Sequence, residues 1–128
     1  MKLLKVYHNG KSEVIRLHKC EAEDEFLRAA CQELEGVLRY RALDGILPRT
    51  SITEYSIKDA RMDGHYLNIP VFYMQKQLPE NEPIYGPVLL AKKVEKEGKT
   101  HSLGFSEKEL KALCRQMRIH PVNLRLHK

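Results

Sequence analysis

No stretch of the chain stays apolar for the roughly 20 positions that a bilayer-spanning helix needs, and Met1-Lys2-Leu3-Leu4-Lys5 meets charge before a secretory hydrophobic region can form. The expectation is a cytoplasmic protein with no membrane association. Cysteine is scarce. Cys20, Cys31 and Cys114 are odd in number and include no C-x-x-C pair, which argues against a disulfide framework and for reduced thiols. Also missing are the glycine-rich phosphate loops G-x-x-x-x-G-K-[ST] and G-x-G-x-x-G, internal repeats, low-complexity tracts and linkers. Carboxylates occur only in surface-like runs, so a hydrolase reading has no anchor. Nothing in the sequence calls for a cofactor.

What is present fits one globular domain spanning residues 1–128, with 42% apolar and 30% charged residues, enough to bury a core. The net charge of +5 is unevenly distributed. Residues 1–20 carry five basic and one acidic side chain (+4), residues 21–35 one basic and six acidic (−5), and residues 91–128 ten basic and four acidic (+6). The ends are basic around an acidic stretch, and local fields exceed what the net charge conveys.

Local patterns predict the elements. Leu3 to Tyr7 and Val14 to Leu17 flank His8-Asn9-Gly10, a β-hairpin in which Asn-Gly suits a two-residue type I′ turn. Phe26, Leu27, Ala30, Cys31 and Leu34 recur at helical spacing over about 22–36, with acidic residues in the first turn and Gly36 as a stop. Val37 to Leu43 alternates as a strand, with Arg39 and Arg41 on a basic outer face. Residues 44–51 read as the main loop, punctuated by Gly45 and Pro48. Residues 52–60 and 65–74 read as a second hairpin around Asp63-Gly64, with Pro70 marking an edge or bulge. Val88 to Ala91 is the most continuously apolar run and the expected central strand. Lys92 to Lys99 reads as a solvated hairpin tip. Ser106 and Glu109 form a capping box opening a helix through about Met117, with Leu110, Leu113, Cys114 and Met117 inward. Val122 to Leu126 alternates like a further strand. The fold expected is α+β, a mostly antiparallel sheet of two hairpins plus a central strand, with two amphipathic helices on one face.

Chemistry is weighed against packing at each candidate. His18-Lys19-Cys20 with Cys31 is the only ligand-like spacing for zinc, but Cys31 and Cys114 fall on apolar helix faces, where cysteine acts as a small hydrophobe. Cys20 is the one cysteine with prospects of exposure. Lys19 and His18 favour its thiolate, and Glu21, Glu23, Asp24 and Glu25 oppose it. No catalytic or metal residue is therefore assigned.

Binding has more to work with. Lys108, Lys111, Arg115 and Arg118 recur at intervals of three and four and share a helix face. With Arg39, Arg41 and Arg49 they form the candidate partner-binding set, to which Tyr73 is added as an interface anchor from a tyrosine-rich region that includes Tyr55, Tyr66 and Tyr85. Two functions use these residues: a non-enzymatic protein whose basic surface engages an acidic partner, or a DNA- or RNA-binding protein contacting phosphates. A homodimer through a strand edge is the mundane possibility.

The segment Met1–Tyr7, the helix start Asp24-Glu25-Phe26-Leu27, the run Ile84-Tyr85-Gly86-Pro87-Val88-Leu89-Leu90, and Ser102-Leu103 leading into Ser106-Glu107-Lys108-Glu109-Leu110 together resemble small domains of unknown function found in phages and conjugative elements. The resemblance covers the two ends of the chain and leaves out Tyr40 to Ile69. It implies an inhibitor-like accessory or host-interaction protein of a mobile element, without an established reaction.

Overall fold

The computed structural model describes residues 1–18, 20, 22–76, 78 and 82–120. In chain order the elements are β1 (Lys2–Val6), β2 (Ser12–Arg16), α1 (Glu23–Leu34), β3 (Leu38–Leu47), β4 (Thr50–Ile57), α2 (Ile69–Gln75), β5 (Val88–Lys96), β6 (Lys99–Leu103) and α3 (Glu107–Met117). Among the described residues the strands form one open antiparallel sheet in the order β2-β1-β5-β4-β3, and the α+β class holds. The first half of β5 pairs with β1 and its second half with β6, so β6 extends the line of β1.

β5 is central, as its apolar run predicts. Val88, Leu89, Leu90 and Ala91 are all fully buried, and because successive strand residues point to opposite faces, the sheet must be covered on both sides. One cover is α1, whose Phe26, Ala30 and Leu34 share a cluster with Leu3, Tyr55 and Leu89. On the other side Val71 and Met74 of α2 and Leu110, Leu113 and Met117 of α3 share a cluster with Leu4, Leu43, Ile52 and Leu90. This corrects the expectation of helices on one face: they sandwich the sheet. Each buried leucine contributes about 1.5–3 kcal/mol, so a bare face on either side would leave the core incomplete.

The segment 65–74 is the second correction. It forms no hairpin strand; Leu67 makes one bridge with Tyr85, and the chain then enters α2. Asn68 caps that helix by accepting from the Val71 N–H (3.2 Å), and Pro70 sits in its first turn, where no amide hydrogen is required. Buried Asn68 also donates to the carbonyls of Val6 (3.0 Å) and Gly86 (2.9 Å), fixing the start of α2 against the sheet.

The turns differ from expectation in instructive ways. The region 44–51 is no loop: β3 runs on through a bulge at Gly45 (φ 89°), and Pro48-Arg49 closes a two-residue turn to β4. Arg49 takes the positive φ (55°) that follows proline in a type II turn. The first hairpin uses three residues, 8–10, with only Gly10 at positive φ, a loop closed by a glycine bulge in place of the expected two-residue type I′ turn. The type I′ geometry belongs to Glu97-Gly98, where both residues have positive φ at the solvated tip joining β5 to β6. Helix α1 ends on Glu35 in the left-handed region, while Gly36 makes room for Ile57, whose side chain would lie 3.0 Å from a Cβ placed there. The acidic start of α1 is partly engaged: Glu23 accepts from Ser102 Oγ (2.7 Å) and pairs with Lys93 (3.5 Å), tying the helix to the β5–β6 hairpin. The tail strand expected at 122–126 lies outside the described residues.

Candidate functional site

Helix α3 and its C-cap present a row of four cations. Its capping box is complete: Glu109 N–H donates to Ser106 Oγ (3.2 Å) and Ser106 N–H to Glu109 Oε1 (2.8 Å). Burial works against the Glu109 charge, but the Ser106 amide and Lys92 Nζ (3.0 Å) outweigh it and hold the carboxyl below its ordinary value. The opposite end stops at Arg118 in the left-handed region (φ 58°), its N–H bonded to the Arg115 carbonyl. Burial of Leu110, Leu113, Cys114 and Met117 then orients the rest. Lys108, Lys111, Arg115 and Arg118 point outward along one side, all exposed. The Cys114 thiol, pushed up to about 11 by burial, is a core group.

None of these four cations is ion-paired among the described residues. Arg118 reaches instead across to α2, its guanidinium 4.8 Å from the centre of the Tyr73 ring. Lys76 Nζ lies 4.8 Å from the same ring and 5.6 Å from that of Phe72. Two cations therefore converge on one aromatic side chain where the C-terminal ends of α2 and α3 meet, each cation–π contact contributing on the order of 0.5–1 kcal/mol at an exposed site. Lys76 escaped sequence reasoning because 65–74 reads as a strand. On a helix it falls three residues after Tyr73, on the same side.

The other expected residues are placed elsewhere. Arg39 and Arg41 do not form an unpaired outer face: alternation in β3 puts them on the same side of the sheet as Leu43, with exposure falling from Arg39 through Arg41 to that core residue. Arg39 pairs with Glu82 (2.7 Å), both about half exposed. Arg41 is half-buried and lies opposite Glu54 in the β3–β4 register. Arg49 sits at the β3–β4 turn and shares an open hollow with Gln116 of α3. At the N-terminal end Lys5 is spent on Glu33 (3.3 Å). Of the tyrosines, Tyr55 is fully buried, Tyr66 is exposed against His8, and Tyr85 is half-buried under Arg61.

Beneath α2 runs a buried polar seam that no sequence signal announced. Glu54 is 1% exposed. Its Oε2 accepts from Gln75 Nε2 (2.6 Å), and Gln75 Oε1 accepts from the Glu82 N–H (3.2 Å). Burial pushes the Glu54 carboxyl up to about 7, against the opposing influence of the Gln75 hydrogen bond and Arg41. Gln75 thus links a buried carboxyl to the segment carrying the Arg39–Glu82 pair. Cys20 is half-buried; burial and the nearby Glu25 and Glu23 raise its thiol above the ordinary value, opposite to what a nucleophile needs. Among the described residues no group of three or more His, Cys, Asp or Glu is placed to hold a metal ion, and no helix is long and apolar enough to cross a membrane. Comparison with protein-family models, curated proteins and solved structures yields no match.

Proposed function

We propose that the protein is a non-enzymatic binding module whose outer α3 face, extended by Arg118, Tyr73 and Lys76, engages an acidic protein partner. One observation carries this reading. Five cations without carboxylate partners among the described residues line one side of α3 and its junction with α2, and two of them flank a tyrosine. Arginine with aromatic side chains is the composition of interface anchors, and the half-buried rings of Phe72 and Tyr73 give a partner apolar area to bury. The resemblance of the chain's ends to phage and conjugative-element domains suits an accessory protein of this kind. Nucleic acid is the second reading, favoured by the regular spacing of Lys108, Lys111, Arg115 and Arg118 over about 15 Å of helix.

The test is fluorescence anisotropy with two probes, an Asp/Glu-rich peptide containing phenylalanine and a random-sequence DNA duplex, across roughly 50–200 mM salt. Peptide binding that survives the upper salt and drops at least about tenfold in a Lys111→Glu/Arg115→Glu variant is the expected result. Tight duplex binding with a steep salt slope transfers the same residues to the nucleic-acid reading. Indifference of both probes to the double reversal would overturn the assignment of this face.

A further inference from the structure

At the far edge of the sheet, the start of β3, the end of β4, the turn after it and the segment entering β5 line a half-open cavity of about 350 Å³. That volume is at the lower end for small-molecule sites, suited to a ligand of amino-acid size. Its walls are fixed by the fold. Arg39 and Ser56 face each other in the β3–β4 register, and Ala60 and Ile84 are buried at its base. The 84–86 segment is pinned by hydrogen bonds from the Asn68 N–H to the Ile84 carbonyl and from the Gly86 N–H to the Tyr66 carbonyl, both 2.8 Å.

Charge decides what the cavity suits. Two guanidinium groups, Arg39 and Arg61, and two carboxylates, Asp59 and Glu82, line it. Arg39 and Glu82 are bonded to each other. Arg61 and Asp59 form no ion pair with each other or with any other described residue, and the Arg61 guanidinium lies 5.5 Å from the centre of the Tyr85 ring. Both are exposed to water, and a ligand with a single charge would pair with one of these groups and meet like charge at the other. A ligand carrying both charges matches both, and the apolar base receives its remaining atoms.

We propose that this cavity binds a small zwitterion of the α-amino-acid type, its carboxylate on Arg61, its ammonium on Asp59 and its apolar side chain against Ile84 and Pro83. The site is separate from the α3 face and does not depend on it. The experiment titrates the whole protein with L-leucine, with 4-methylpentanoate, which keeps only the carboxylate, and with isoamylamine, which keeps only the ammonium. Methyl resonances of Met62, on the exposed rim, and Ile84, at the base, report binding.

Leucine should bind with a dissociation constant of about a millimolar or tighter, and each half-analogue about tenfold more weakly or worse. Arg61→Gln and Asp59→Asn should each weaken leucine about tenfold. Asn accepts the positive φ (61°) that Asp59 adopts, so the second variant keeps the turn, and resonances remote from the cavity confirm the fold. Absence of perturbation at roughly 20 mM leucine, a half-analogue binding as tightly as leucine, or leucine binding unchanged in both variants would each overturn the proposal.

Discussion

The arginines of β3 and those of α3 are alike in the sequence and opposite in the fold. Both sets alternate with apolar residues at the period of their element, and both read as a basic outer face. In β3 the cations meet opposite charge: Arg39, about half exposed, pairs with Glu82, and half-buried Arg41 lies opposite buried Glu54. In α3 the burial of Leu110, Leu113, Cys114 and Met117 drives Lys108, Lys111 and Arg115 outward with no described carboxylate against them. Periodicity tells which residues share a side; only the location of the opposing charges tells whether that side is open. The β3 set is part of a structural seam, and the α3 set is exposed without a described carboxylate partner.

The seam makes the larger stability predictions. Glu54 in the folded protein holds its proton up to about pH 7, whereas the unfolded chain releases it near the ordinary 4.5. Between those values the unfolded state binds fewer protons, so stability is full below the lower value and falls as pH rises through the higher one. Across that window the loss is roughly 3 kcal/mol, and Glu54→Gln should flatten it, checked by urea denaturation from pH 4.5 to 8. A wild-type midpoint that rises over this range would reverse the assignment. Next in size is Gln75→Leu, which strips the donor from Glu54 and the acceptor from the Glu82 amide at once. A loss of about 2 kcal/mol is expected in the same assay at neutral pH. Arg39→Ala should cost less than about 1 kcal/mol, because its pair with Glu82 is half in water. A larger cost would mean that the rim of the seam is as tightly coupled as its buried part.

Much of this fold is written in short-range signals. The Ser106/Glu109 capping box, the hairpin glycine at Gly10 and the apolar spacing of Phe26, Ala30 and Leu34 each act within a few residues, and each gives the element it predicts. Val88 to Ala91 carries more than a central position: an unbroken apolar run needs cover on both faces, and that places helices on opposite sides of the sheet. Residues 69–75 mislead because Ile69, Val71, Phe72 and Tyr73 are strand formers by composition. The helix there rests on Asn68 as cap, Pro70 in the first turn, and inward Val71 and Met74, a pattern that tertiary packing selects over propensity. Placing that segment on a helix is also what brings Lys76 beside Tyr73. The α3 part of the site was legible because its cations follow one helix's period. The Glu54–Gln75 contact joins residues 21 apart through strand order and helix placement, which no local pattern encodes.

The distinction between an arginine paired with a carboxylate and one without a described carboxylate partner reduces to one measurement: the affinity of the acidic peptide for Arg115→Glu and Arg39→Glu proteins, compared side by side at low salt. A loss of at least about tenfold for Arg115→Glu with little change for Arg39→Glu is predicted. Equal losses at the two positions, or a loss only at Arg39, would contradict the account.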